Sequence, residues 1–348
     1  MGSTGIPEPL EYLTITDGNV DVTFLGLIET NGKQTATIPS THPLKVEGIT
    51  FARPENVVSQ YSSIKEQENS DLYIALTHLG YDLNFGLGDT QLASQFPYFD
   101  MIIGGHTHIT ENGVVNNIPI FNAGGYLNTL GKVVMRIRDK NIDVYSYEVI
   151  DLNSYQEFDS DLQAIIDQYN DLPYLKEVIG YSHQYHNNSQ VGCFYTDALR
   201  GEMDVDVSFQ NTGGIRSSLD EGDITVREIF EISPFNNGTI IYQMTVTEIK
   251  DFLVGSASGF YYSGIQLEQD GNSIIFKDLD NNILSDDTVL SVGINDYIPA
   301  VYDTYFPTNG ILQSMTAAET IISYLKTKNN QVDYSDCNRY FRYQLEIE

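Results

Sequence analysis

Residues 12–16 and 20–28 are two β-favouring runs separated by Asp17-Gly18-Asn19. Polar and apolar positions alternating with period two mark half-buried strands, and a short turn-forming spacer makes a hairpin of them. The period changes over residues 54–68. Val57, Val58, Tyr61 and Ile64 recur at helical spacing behind Pro54, a residue suited to a first helical turn. Residues 71–76 and 99–103 are short, continuous apolar runs, as strands buried on both faces are, and a short helix is expected between them over 90–96. The first run ends at Thr77-His78 and the second at Gly104-Gly105-His106. Strand, helix, strand with polar residues at the strand ends is α/β organisation, and such sheets carry their chemistry at the carboxyl ends of the strands.

Further strands are expected over 118–121, 132–137 and 143–152. Residues 160–179 read as a polar helix with Leu162, Ile165, Ile166, Tyr169 and Leu172 on one face, interrupted near Pro173. This is the candidate connector. From about residue 180 the pattern restarts. Helices are expected over 192–200, 225–230, 246–254 and 317–326, and strands over 205–210, 239–245, 273–276 and 289–293. No repeat, low-complexity tract or heptad pattern interrupts this order. The division that follows is 1–140, a linker over 141–180, and 181–348.

Composition narrows the class. Of 348 residues, 41% are apolar and 19% charged, which suits a globular chain rather than a disordered one. Forty-eight acidic residues face 18 basic ones, a net charge of −30. That field repels nucleic-acid backbones and anionic membranes, so nucleic acid is not an expected partner. No apolar run approaches the ~20 residues of a membrane helix. Cys193 and Cys337 form no CxxC pair, and the simplest expectation for them is two buried free thiols. The opening residues 1–5 have neither the basic nor the apolar region of a signal peptide.

Three of the six histidines, His78, His106 and His108, follow the two buried strands. Imidazole is a common ligand for zinc and related metals. His78 alone reads equally as a structural residue. Gly104 and Gly105 let the chain turn sharply, so His106 and His108 can aim at neighbouring positions. Residues 76–80 (Leu-Thr-His-Leu-Gly), 88–93 (Gly-Asp-Thr-Gln-Leu-Ala) and 102–109 (Ile-Ile-Gly-Gly-His-Thr-His-Ile) together resemble the back half of the calcineurin-like metallophosphoesterase domain of 5′-nucleotidases. The resemblance implies two divalent metal ions, zinc, manganese or similar, with His78 and His106 on one and His108 helping to bind the other. The family's opening motifs, Asp-x-His, the Gly-Asp that supplies a bridging aspartate, and Gly-Asn-His-Asp/Glu, find no match, and Gly88-Asp89 lies in the wrong place to replace the second. The resemblance therefore implies an amino-terminally truncated domain with partial metal occupancy at most. Exposed sheet edges and apolar faces are expected in it.

A second polar glycine turn, Asn211-Thr212-Gly213-Gly214-Ile215-Arg216, follows an apolar run. Exposed backbone N–H groups and an arginine fork suit phosphate or carboxylate, although an ordinary turn would look the same. With Gly222-Asp223-Ile224-Thr225 and Ser233-Pro234-Phe235-Asn236-Asn237, the turn resembles the substrate-binding domain of the same family. The resemblance implies that Asn211, Gly213, Gly214 and Arg216 form the nucleotide loop. It also implies that Phe235 and Tyr297 stack on the base and that Asp303 contacts the ribose. The core-packing alternative stays open for both aromatics. The family's Gly-Gly-Asp-Gly reads Val301-Tyr302-Asp303-Thr304 here, and His183 and His186 are expected at the surface.

The fold implied is α/β: a partial αββα metallophosphoesterase sandwich, then a separate α/β nucleotide-recognition domain. The activity implied for the parent protein is metal-dependent hydrolysis of nucleoside monophosphates, with cyclic nucleotides as possible further substrates. This chain alone is expected to be inactive or weak. The alternative is a non-catalytic nucleotide-binding module derived from a nucleotidase, and many relatives act in the periplasm or outside the cell.

Overall fold

The computed structural model describes residues 10–83 and 86–345; the opening residues 1–5 lie outside them. The chain divides into two compact units. One holds residues 10–41 and 45–157, the other 42–44 and 158–345.

In the first unit, β1 (Leu13–Asp17) and β2 (Val20–Ile28) form the expected hairpin, Asp17 pairing with Val20 across Gly18, whose φ of 60° is the left-handed geometry such a turn demands. The expected helix over 54–68 is broken into α1 (Pro54–Val57), a 3-10 turn over 58–61 and α2 (Ile64–Gln67). Adjacent Ser62 and Ser63 favour local side-chain bonds over helix continuation. Strand β3 (Leu72–His78), helix α3 (Asp89–Gln95) and strand β4 (Met101–Gly104) follow, then β5 (Thr110–Val115), β6 (Ile118–Ala123) and the long hairpin β7 (Thr129–Arg138) and β8 (Asn141–Asp151). The strand expected over 143–152 is thus β8, which occupies the first part of the stretch assigned to the linker.

The sheet order is β1-β2-β3-β4-β6-β5, with β2, β3, β4 and β6 mutually parallel. A parallel sheet needs cover on both faces. On one face Tyr73, Ala75, Ile102 and Ile120 pack with Val58, Ile64, Leu92 and Ala93 of the helical segments. On the other, Leu72, Ile74, Met101 and Phe121 pack with Val133, Met135, Ile137 and Tyr147 of β7 and β8. That second cover is short. Leu13, Ile15, Ile28 and Leu76 remain exposed.

The second unit opens on α4 (Ser160–Asn170), capped by Asp159, whose carboxylate accepts from the N–H groups of Asp161 and Leu162. Its strands are β9 (Val178–Ser182), β10 (Val207–Asn211), β11 (Gly222–Thr225), β12 (Gly238–Thr245), β13 (Gly259–Ser263), β14 (Gln266–Asp270), β15 (Ser273–Lys277), β16 (Val289–Asn295), β17 (Ile311–Thr316), β18 (Gln331–Val332) and β19 (Tyr340–Arg342). Its later helices are α5 (Asn188–Met203), α6 (Val226–Ile232), α7 (Val246–Gly255), α8 (Tyr297–Val301) and α9 (Ala317–Thr327). The main sheet runs β17-β12-β16-β10-β13-β19. Two cores flank it, one built around α5, α6 and α9, the other around α7 with Phe209, Phe252, Phe260 and Phe276.

Two expectations are corrected here. Cys193 and Cys337 are not free thiols: they form a disulfide across a separation of 144 residues, and this bond fastens the carboxyl-terminal segment to α5. Beside it, the guanidinium of Arg339 donates to both oxygens of Asp197 at 2.9 and 2.6 Å. His186 is not at the surface either. It is fully buried, its Nε2 accepting from the N–H of Tyr334 at 2.9 Å and its Nδ1 lying 3.0 Å from Ser182 Oγ. His183 is exposed, as expected. Among the described residues, no helix is long and apolar enough to cross a membrane.

Candidate functional site

In the first unit, the carboxyl end of β3 presents His78, paired in register with Ile28 of β2. The chain leaves β4 through Gly104 and Gly105 and enters His106 with φ 86° and His108 with φ 55°. Non-glycine residues avoid these angles, and such strain concentrates at functional loops. Gly104 is obligatory for close packing: a Cβ there would lie 1.9 Å from Asp89 Oδ2, whereas one on Gly105 would just touch His78 Nδ1, at 3.4 Å. The rings of His78 and His106 meet edge to face, centroids 5.0 Å apart. Burial holds the His106 imidazole below the ordinary histidine range, opposed by the nearby carboxylate of Glu29.

The His108 ring packs edge to face on Tyr126, centroids 4.8 Å apart, against the backbone at Gly125. Asp89 is wholly buried behind the loop, where Thr77 Oγ1 and Asn122 Nδ2 both donate to it. Burial raises its carboxyl pKa to about 6, against those two bonds. Glu29 is likewise occupied, its two oxygens accepting from the N–H groups of Asn31 and Ser40.

The donor set can be tested against the divalent pair that the resemblance implies. A catalytic zinc site is typically held by three protein donors at about 2.0–2.3 Å. Among the described residues no three His, Cys, Asp or Glu side chains converge in that way. His78 and His106 form a two-imidazole pair, and the two nearest carboxylates are tied to the protein itself. The described residues by themselves do not make a complete two-metal centre.

In the second unit, β10 and β16 lie side by side and parallel, Phe209 opposite Ile294. Their carboxyl ends therefore carry the two predicted segments to one place: Asn211 with its glycine turn, and Asn295-Asp296-Tyr297. Gly214 is buried, and a Cβ there would lie 1.9 Å from Gln210 Nε2; at Gly213 the nearest atom would be Asn211 Nδ2, at 3.8 Å. Packing thus requires glycine at position 214, whereas a methyl at Gly213 would meet only ordinary van der Waals contact. Arg216 donates from Nη1 to the carbonyl of Gly213 at 3.3 Å, and its backbone N–H donates to Ile232 O at 3.0 Å. This second bond ties the glycine turn to the segment that leads into Phe235. Tyr195, buried in α5, shares a hydrogen bond with Ser233 at 3.1 Å on the same segment. Phe235 is 38% exposed, so its ring is no core residue. Tyr297 is half-buried at the start of α8, and Asp303 is exposed in the turn that follows it.

The sequence reading missed Gln210 and Asn295, each 1% exposed, which link Asn211 to the start of α8. The available signals were a glutamine inside an apolar strand and an asparagine two residues before Tyr297, where side-chain-to-backbone turns form.

Residues 172–300 match the family model of the 5′-nucleotidase C-terminal domain. A trifunctional nucleotide phosphoesterase of Bacillus subtilis is 29% identical over 64% of the chain, which spans 16% of that protein. A 5′-nucleotidase of Vibrio cholerae is 23% identical over 61% of the chain, which spans 48% of it. The chain thus covers less than half of each of these curated relatives. The crystal structure of a 5′-nucleotidase precursor from Thermus thermophilus superposes over 94% of this chain and 74% of its own with a TM-score of 0.79, at 18% identity. Histidines at the ends of parallel strands, a glycine turn at the ends of β10 and β16, and these likenesses converge: residues 172–300 are a 5′-nucleotidase C-terminal domain, and the chain as a whole shares the two-domain α/β fold of 5′-nucleotidases.

Proposed function

We propose that the second unit binds the nucleoside portion of a nucleotide, and that the parent protein hydrolyses nucleoside monophosphates with divalent metal ions bound in the first. Asn211, Gly213, Gly214 and Arg216 hold the ligand's polar groups, Phe235 and Tyr297 take the base between them, and Asp303 meets the ribose. His78, His106 and His108 are this chain's contribution to the metal ions, with residues 1–140 as the phosphoesterase part, 141–180 as connector and 181–348 as recognition domain. The observation that carries the reading is the half-exposed Phe235 ring beside Arg216 at the rim of the glycine turn. An aromatic face left toward solvent next to a guanidinium suits a flat, weakly polar base joined to an anionic phosphate.

Each side chain has a defined part. Arg216 offsets the repulsion of a chain of net charge −30 for a phosphate ester. A stacking ring contributes about 1–3 kcal/mol per base and tolerates any base, because every base has a π-face. Metal ions in this family's chemistry activate water and neutralise phosphate oxygens. The described residues bring no complete donor set together for such ions, so no step is assigned to them, and the chain by itself is expected to hydrolyse little or nothing.

The retained Asn211, Arg216 and Phe235 support a second reading, a nucleotide-binding module without catalysis, against which the retained His78, His106 and His108 speak. Calorimetric titration with adenosine, beside phosphate release from AMP with added manganese or zinc, tests both. Binding without turnover is the expected result. Robust metal-dependent turnover would sink the expectation of inactivity, and absence of binding would sink the nucleoside site. The Cys193–Cys337 disulfide supports a location in an oxidising compartment, the periplasm or outside the cell.

A further inference from the structure

The polarity of the Asn211 amide is set by residues that no ligand needs to touch. Asn295 Oδ1 accepts from the backbone N–H groups of Tyr297 and Ile298, at 3.0 and 3.2 Å. A backbone N–H only donates, so that end of the amide must be the oxygen. Its Nδ2 therefore faces Gln210 Oε1 at 2.7 Å and Asn211 Oδ1 at 3.4 Å. Gln210 Nε2 in turn donates to Asn211 Oδ1 at 3.2 Å and to the Asn211 carbonyl at 3.3 Å. Asn211 Oδ1 is thus approached by two amide donors. Its Nδ2 is the end that borders the open side at Gly213, 3.8 Å from where a Cβ would stand.

Each link depends on the one before. Were the Asn295 amide reversed, its NH2 would face two backbone donors inside a site where Asn295 and Gln210 are each 1% exposed. An unmade bond at such a depth is strongly disfavoured. The chain Tyr297/Ile298 → Asn295 → Gln210 → Asn211 therefore has one direction.

We propose that Asn295 is a positioning residue which, directly and through Gln210, holds the Asn211 amide with its NH2 outward, so that the site reads a hydrogen-bond acceptor on the base. An unconstrained asparagine could turn either end to a ligand. Here only a donor is presented, and the matching ligand atom is a ring nitrogen with a lone pair. The same Asn295 also holds the first turn of α8, which carries Tyr297, so the base-reading donor and one of the two aromatics are registered by a single side chain. The inference rests on the nucleoside reading of this site.

The test compares adenosine with deazaadenosines in which one ring nitrogen at a time is replaced by C–H, by calorimetric titration of the whole chain. The wild-type protein should bind one of these analogues about tenfold more weakly than adenosine, about 1.4 kcal/mol. Asn211→Ala should bind adenosine and that analogue alike. Asn295→Ser keeps an acceptor for the Tyr297 N–H but removes the donor, and the discrimination should shrink toward unity. Gln210→Leu cuts the relay while leaving the Asn295 bonds to α8 in place, and should do the same. A general loss of fold lowers both affinities together and leaves their ratio intact, so the ratio separates positioning from structure. Equal binding of every analogue by the wild type, or a wild-type ratio in both relay variants, would overturn the proposal. Failure of the wild type to bind adenosine at all would instead overturn the nucleoside reading beneath it.

Discussion

The guanidinium carbon of Arg216 lies 5.5 Å from the centroid of the Phe235 ring. The two residues sit on different loops, which are joined by the backbone bond from Arg216 N–H to Ile232 O. A cation over an aromatic face at that distance is attractive, by about 0.5–1 kcal/mol at an exposed site. The contact steadies the ring beside the glycine turn while leaving much of it in solvent.

Phe235→Ala should therefore weaken adenosine binding by about 1–3 kcal/mol, the contribution of one stacking ring. Thermal stability should hardly move, because a ring 38% exposed contributes little to the core. Phe235→Tyr should bind nearly as the wild type does. Titration calorimetry beside thermal unfolding checks this, and a large drop in midpoint with unchanged affinity would make Phe235 a packing residue after all.

The two glycines of the turn should respond unequally to the same substitution. Gly214→Ala drives a methyl into Gln210 Nε2 and should disrupt both the relay and ligand binding. Gly213→Ala meets nothing closer than 3.8 Å in the unliganded protein. It should leave folding intact and reduce affinity only through its intrusion on the ligand's side. Circular dichroism and adenosine titration of the two variants distinguish these outcomes.

Reduction of the Cys193–Cys337 bond, or its replacement by serine at both positions, should lower the stability of the second unit by about 2–5 kcal/mol. The bond closes a long loop in the unfolded chain, and removing it restores that entropy. Calorimetry with and without a thiol reductant, followed by mass analysis of free thiols, gives the measurement. A transition insensitive to reductant in a demonstrably disulfide-bonded protein would contradict the prediction.

His186 makes the second unit acid-sensitive. Burial depresses its pKa below the ordinary histidine value, and its Nε2 must stay unprotonated to accept from Tyr334 N–H. A depressed pKa means that the unfolded chain binds the proton more readily. The stabilisation is present above the unfolded value of about 6.5 and is lost as pH falls through the lower folded value. Denaturant midpoints measured from pH 8 to pH 5 should therefore fall, and His186→Gln, although less stable at pH 8, should show a flatter profile.

Local pattern carried the reading where a segment's own residues decide its state. The β1–β2 hairpin follows from its alternation and Gly18, β3 and β4 from their unbroken apolar runs, and α9 from its spacing behind Thr316, whose side chain accepts from Glu319 N–H. The histidine and asparagine loops were visible as polar turns at strand ends, which is where the fold places them. Long-range contacts decided the rest. His186 sits in a stretch of polar residues, and distant partners, Leu219 and, 148 positions away, Tyr334, make it a core group. Cys193 and Cys337 carry no spacing that signals a bond. Strands β13 and β17 are short, and pairing with β10 and β12 rather than propensity fixes them. The contact of the His108 ring with Tyr126 likewise comes from the backbone angle at His108 and the packing at Gly125, which no local pattern announces.

The carboxyl-terminal segment reaches back across the second unit at four points: β18 pairs with β9, Tyr334 donates to His186, Cys337 bonds to Cys193, and β19 pairs with β13. A ribosome delivers residues 178–203 long before residues 331–342. During translation α5 must therefore wait with a bare cysteine and an unmatched buried histidine until the last residues of the segment emerge. This unit is therefore completed late: β9 and α5 reach their final packing only once residues 331–342 have joined them.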